Sequence, residues 1–274
     1  VGKLEVNQND KTMSVGNSFV YAEFDKSTGR MTALRMNGMD VIYGKEGFIY
    51  ENHRFIENDR NPVSFDNGLE ATGTCEVKEE ADGRVVVATT RNGSLCDTEI
   101  TYTFTPNGVM DMETKFTPKS GELFRTGLVC SINPGLNNID YYAYGPWENY
   151  IDRKEGCMMG RYSTTVDEMV EKYVKPQSMG NREGLRELKM TDGNGRGIRI
   201  ETEGAVSFSA LPYSESDLTK AKHIWELQKR PCIVLHLDAQ IKGLGNGSCG
   251  PMTLNTYKIA PLPLGYKLRF TAVE

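Results

Sequence analysis

At 274 residues the chain can bury a large core, either as one big β-domain or as two ordinary domains. Its 38% apolar and 25% charged residues describe a soluble globular protein, and a net charge of −5 with mixed signs excludes the basic face that nucleic acid requires. No apolar run approaches the roughly 18 residues of a membrane helix. The chain starts at Val1 with no Met and no signal-like stretch, which suggests a piece of a longer polypeptide or a processed one. Six cysteines (Cys75, Cys96, Cys130, Cys157, Cys232, Cys249) are scattered without CxxC spacing, so they read mostly as small buried hydrophobes rather than zinc ligands or a disulfide framework.

In chain order, residues 31–36 and 39–43 flank Asn37-Gly38 and predict a hairpin with a type I′ turn. Residues 75–80 and 84–90 around Asp82-Gly83 predict a second, and 98–105 and 109–116 around Pro106-Asn107-Gly108 a third. In the third, Ile100, Tyr102 and Phe104 share one face while Glu99, Thr101 and Thr103 share the other, so one face is buried and one wet or ligand-facing. Further strands are predicted at 128–132, 139–144, 197–202, 206–211, 233–240 and 266–272. Short helices are predicted at 166–174, where Thr165 and Glu168 have capping-box spacing, and at 216–221. Gly193-Asn194-Gly195-Arg196-Gly197 lacks the Lys-Ser/Thr and helix of a phosphate loop and reads as a turn. Many short strands with Gly/Asn/Pro turns and no linker predict a single all-β domain over residues 1–274, a sandwich or barrel.

The most informative segment is Tyr144-Gly145-Pro146-Trp147-Glu148-Asn149-Tyr150-Ile151-Asp152-Arg153. A rigid Gly-Pro turn is followed by aromatics, two acids, an amide and an arginine, a composition that needs something to pack against. It is either a buried corner held by an Asp152–Arg153 or Glu148–Arg153 ion pair, or a sugar-facing loop. In the second reading aromatic faces meet pyranose C–H groups and carboxylates meet hydroxyls.

Gly-Pro-x-Glu-Asn-Tyr-x-Asp-Arg resembles the signature of the C-terminal, small-chain domain of the large β-galactosidases of glycoside hydrolase family two. That domain is a β-sandwich whose fold resembles galactose mutarotase. The resemblance extends over almost the whole chain. Phe24-Asp25-Lys26-Ser27-Thr28-Gly29 resembles the opening strand and turn, and His53-Arg54-Phe55-Ile56-Glu57-Asn58-Asp59 an Arg-x-x-x-Asn-Asp segment. Phe124-Arg125-Thr126-Gly127 resembles Pro-Arg-x-Gly, with Phe124 in the proline's place. Pro176-Gln177-Ser178-Met179-Gly180-Asn181-Arg182 resembles Pro-Gln-Glu-x-Gly-Asn-Arg, with Ser178 where a glutamate is usual. His223-Ile224-Trp225-Glu226-Leu227 and Leu235-His236-Leu237-Asp238 resemble two further segments, and Gly243 to Pro251 resembles the glycine-rich loop near the domain's end.

The resemblance implies a large antiparallel β-sandwich (a supersandwich) of galactose-mutarotase-like type with a few short helices. It implies that Gly245, Asn246, Ser248 and Cys249 lie on a loop reaching a substrate pocket held by a separate TIM-barrel domain of the same polypeptide. Cys249 stands where some members carry a tryptophan of the galactose platform, so the aromatic face is absent here; the other reading of the loop is a glycine turn with a buried thiol. Both catalytic glutamates of the family belong to the barrel, so the resemblance implies no catalytic residue here. Two carboxyls about 5–5.5 Å apart are required for retaining hydrolysis, and Glu148 and Asp152 could form such a pair only by chance. The family's Mg and Na lie in other domains, so no cofactor or metal is expected here. The full-length enzyme is expected to be a homo-oligomer, in the periplasm or the cytoplasm of a bacterium.

Two alternatives come from other function classes. A mutarotase or aldose epimerase needs a general base and acid, yet His53, His223 and His236 are the only histidines. His236 sits in an apolar strand and reads as a core histidine, and His223 ends a predicted helix, where its cation suits the dipole. A carbohydrate-binding module would use Arg54, Asp59, Glu148, Asn149 and Arg153 to coordinate hydroxyls beside exposed aromatics. A scaffold would bury and pair the same groups.

Overall fold

The computed structural model describes residues 2–59, 72–119 and 122–274. The chain opens with an antiparallel sheet of five strands in sequence order, β1 (Glu5–Gln8), β2 (Thr12–Gly16), β3 (Val20–Asp25), β4 (Met31–Met36) and β5 (Met39–Asp40). Between β4 and β5, Asn37 and Gly38 have φ of 46° and 76°, the two positive values a type I′ turn needs. Next, β6 (Ile49–Glu51) joins a second sheet. The meander β7 (Thr72–Glu79), β8 (Val85–Asn92), β9 (Cys96–Phe104) and β10 (Met110–Pro118) builds one flank of a nine-stranded sheet. β11 (Arg125–Ile132) pairs with β6, after which β12 (Asn138–Gly145), β13 (Met158–Thr165), β14 (Glu187–Thr191) and β15 (Gly197–Glu203) build the other flank. β16 (Ser207–Leu211) and β17 (Ile233–Ile241) complete the four-stranded sheet, ordered β16-β17-β11-β6, with helix α1 (Glu215–Lys220) between them in sequence. Finally β18 (Lys267–Val273) lies in the middle of the large sheet, between β15 and β10.

Alternation decides which faces pack. Along β9 and β10 every second residue is buried, and Ile100, Tyr102 and Phe104 are 4% exposed or less. Both smaller sheets cover this one face: Phe24 meets Tyr102 edge-on at 5.1 Å, Tyr50 meets Phe116 at 6.1 Å, and Phe208 meets Tyr141 at 5.3 Å. The opposite face carries cross-strand charge pairs, Lys115–Glu99, Arg269–Asp111 and Arg199–Glu187. The architecture is thus the expected antiparallel β-sandwich, and among the described residues no helix is long and apolar enough to cross a membrane.

The helix expected at 166–174 is corrected. The capping box forms, with the Glu168 amide donating to Thr165 Oγ1 (3.3 Å) and the Thr165 amide to Glu168 Oε2 (3.1 Å), but only one turn follows. Val166 and Met169 alone are well buried there, too little apolar surface to hold a longer helix. α1 matches the expected 216–221, starting one residue earlier on a complete Ser214/Asp217 capping box. His223 does not end that helix; it precedes a 3₁₀ turn at Ile224–Glu226.

Candidate functional site

The glycine-rich loop leaves the end of β17 and is held from three sides. Its base is a buried ion cluster: Arg54 donates to the Lys242 carbonyl, and its Nη2 lies 2.9 Å from Asp59 Oδ2. Lys242 Nζ reaches Asp59 Oδ1 at 3.2 Å and Glu122 Oε1 at 2.8 Å. The Arg54, Asp59 and Lys242 side chains are 3% exposed or less, and the Phe124 ring lies 5.9 Å from the guanidinium and 4.8 Å from the ammonium. Burying three charges is tolerated because each faces an opposite charge.

Above that base the Tyr144–Arg153 turn grips the loop. Asp152 accepts from the Leu244 amide (2.9 Å) and the Gly245 amide (2.8 Å). Arg153 Nη2 donates to the Gly245 carbonyl (2.8 Å) and Asn246 Oδ1 (2.7 Å). Asn58 closes the third side, donating to the Gly245 carbonyl at 3.0 Å and accepting from the Ser248 amide at 3.3 Å. Glycine is required by these approaches: a Cβ on Gly243 would stand 2.8 Å from the Asp152 carboxyl carbon, and one on Gly247 2.4 Å from the Asn58 carbonyl. Gly245 also has φ +62°. The tip, Asn246 and Ser248 to Met252, remains exposed except for Gly247.

The turn itself is fixed from below. Gly145-Pro146 is cis. Asn149, fully buried, donates to the carbonyls of Tyr144 (3.0 Å) and Trp147 (2.9 Å) and accepts from the Glu183 amide (2.9 Å). Glu148 accepts from the Tyr173 hydroxyl, the Gly180 amide (2.9 Å) and the Tyr150 hydroxyl (3.3 Å). Of the two ion pairs expected in the turn, Asp152–Arg153 forms at 3.6 Å, while Glu148 is taken up by these other donors. Burial pushes the nearby Glu183 carboxyl up to about 7, against the hydrogen bond from Asn181 and the charge of Lys154.

The sequence-predicted residues therefore fall into three groups. Arg54, Asp59, Arg153, Gly245, Asn246 and Ser248 converge at the loop, and Glu148 and Asn149 support its turn. His223 stands apart, half-exposed, stacked on Trp225 at 4.4 Å and paired with Glu226 at 3.1 Å. Cys249 is exposed at the tip, which removes the buried-thiol reading. Cys96, Cys130 and Cys232 are buried, and Cys75 and Cys157 are half-buried. Sequence reading missed Asn58 and Lys242 as loop holders. Asn58 lies inside a quoted motif, but no local pattern announces a partner 187 residues away.

A second buried cluster lies on the four-stranded sheet. Arg125 pairs with Glu215 (2.8 Å) and Asp238 (3.1 Å), and Ser178 donates to Glu215. His236, buried as expected, meets Glu51 at 2.6 Å. Burial drives the Glu51 carboxyl up, against the charge of Arg125, and the His236 imidazole down to about 4. Among the described residues no three His, Cys, Asp or Glu side chains converge as a metal site.

The sequence profile described as beta galactosidase small chain matches residues 16–272. The chain belongs to the β-galactosidase small-chain family. A β-galactosidase of Priestia megaterium is 26% identical over 88% of this chain, and one of Actinobacillus pleuropneumoniae 25% identical over 98%. This small chain spans 24% and 27% of the lengths of those two relatives. Among solved structures, a galactose 1-epimerase from Lactobacillus acidophilus superposes with a TM-score of 0.53 at 10% identity, covering 98% of each chain. A GalM/aldose epimerase homologue from C. elegans gives 0.50 at 12% identity over 93% of this chain and 96% of its own. At such identities the likeness concerns the fold, which is galactose-mutarotase-like.

Proposed function

We propose that this small chain is the non-catalytic C-terminal domain of a retaining β-galactosidase of glycoside hydrolase family two. It buttresses a catalytic TIM barrel of the same polypeptide and presents the Gly243–Pro251 loop at the rim of the galactoside pocket. The observation that carries this reading is the clamp: Asn58, Asp152 and Arg153 together fix the loop backbone while leaving its tip in solvent. Among the described residues these hydrogen bonds fix the loop's shape while its tip stays exposed, which suits a loop that meets something outside this chain. Trp147 and Met158, beside the clamp in sequence, are 69% and 75% exposed and fit a surface that another domain covers.

Glu148 and Asp152, the only carboxylates of the turn, are consumed by loop and turn contacts, so neither is free to act as nucleophile or acid. The isolated chain is therefore expected to give no turnover of a chromogenic β-galactoside. Turnover that disappears on replacing a carboxylate of this chain would overturn the reading.

A further inference from the structure

We infer that Asn246 contacts the sugar, donating from its side-chain amide to a hydroxyl oxygen, and that Arg153 is the positioning residue that aims it. The inference rests on the reading above, in which this loop reaches a substrate pocket. A guanidinium carries only donors, so the Asn246 atom 2.7 Å from Arg153 Nη2 has to be the amide oxygen. The Nδ2 group is thereby turned away from Arg153, and it makes no hydrogen bond among the described residues. Asn246 is also exposed, so this donor is offered outward.

The backbone of Asn246 is pinned as firmly as its side chain. Its amide donates to the Pro251 carbonyl at 2.9 Å, and its carbonyl accepts from the amides of Cys249 (3.1 Å) and Gly250 (2.6 Å). Arg153 is held in turn: Nη1 donates to the Asp152 carbonyl at 3.0 Å and lies 3.6 Å from Asp152 Oδ2. The chain of fixed contacts runs from Asp152 through Arg153 to an outward N–H, which is the pre-organisation that makes a single hydrogen bond selective. Cys249 offers no ring for a pyranose face, so this loop recognises its ligand through a directed polar group.

The substitution Asn246→Asp tests the assignment without dismantling the loop. A carboxylate keeps, and strengthens, the contact with Arg153 while removing the outward donor. In the full-length polypeptide carrying the barrel, N246D is expected to raise KM for a chromogenic β-galactoside about three- to tenfold, the loss of one hydrogen bond, with a smaller change in kcat. R153M is expected to raise KM similarly, R153K to recover part of it, and the R153M/N246D pair to fall short of the product of the singles. The thermal midpoint of the isolated chain checks that N246D leaves folding intact. Unchanged KM in N246D, with a raised KM when residues 247–250 are excised, overturns the Asn246 assignment and leaves the loop reading standing. Unchanged KM after excision as well overturns the loop reading itself.

Discussion

Ser178 stands where the small-chain motif usually has glutamate, and Glu215 brings a carboxylate to the same place from α1. It accepts from Ser178 and pairs with Arg125, whose guanidinium is desolvated but held charged by Asp238, Glu215 and Glu51. Removing that carboxylate leaves a buried arginine short of a partner, so Glu215→Ala is expected to lower stability by about 3–5 kcal/mol in urea unfolding. If Glu215 substitutes for the missing glutamate, S178E/E215A recovers part of the loss; a double variant no more stable than E215A refutes the exchange. At this scale the sequence announced short-range pairs better than long-range ones. The Arg54/Asp59 and Asp152/Arg153 pairs were legible because partners lie within five residues of each other. Lys242 and Asn58 were not, because their partners are distant in sequence.

The elements were legible where alternation or a turn signal is strong. All three hairpins form near their expected places, and strands expected at 233–240 and 266–272 appear as β17 and β18. β13 escaped prediction because Met158 to Thr165 has no apolar alternation; it is an edge strand with little buried surface. The Arg-x-Gly motif acquires its reason at the β11–β17 pairing, where the register shifts between Thr126 and Gly127. A Cβ on Gly127 would stand 2.4 Å from both the Asp238 Cα and its Oδ1, so the bulge seats Asp238 beside Arg125. Because the nearest obstacle is backbone, Gly127→Ala is expected to cost about 2–4 kcal/mol by denaturant titration. A loss within about 0.5 kcal/mol, the range of an ordinary surface change, would show that the strands separate freely there.

Across the whole molecule, Glu183 and His236 set opposite pH slopes. Burial holds the proton on Glu183 to about pH 7 in the folded chain, against an ordinary value of 4.5, with the charges of Asp238 and Asp152 adding to the rise and Asn181 and Lys154 opposing it. The folded state therefore binds more protons between those values, and stability falls as pH rises through 7. His236 titrates near 4 when folded and 6.5 otherwise, so the unfolded state binds more protons in that window and stability falls as pH drops from 6.5. Urea midpoints are expected to be highest between about pH 5 and 6.5, where the two trends oppose. Glu183→Gln is expected to flatten the alkaline limb by about 1–2 kcal/mol, since Glu183 is only part-buried. An unchanged alkaline limb in that variant would remove Glu183 from the account.

The central place of β18 governs how the domain can be born. The β7–β10 and β12–β15 flanks consist largely of neighbours in sequence, so each can fold early as its own meander. Among the described residues, Lys267–Val273 is the strand that bridges them in the large sheet. The two halves each hold an apolar face and an open edge until this strand, which follows both in sequence, emerges and zips them together. The β18 ladder thus acts as a keystone, making this chain's solubility while it folds depend on a strand that comes after both halves.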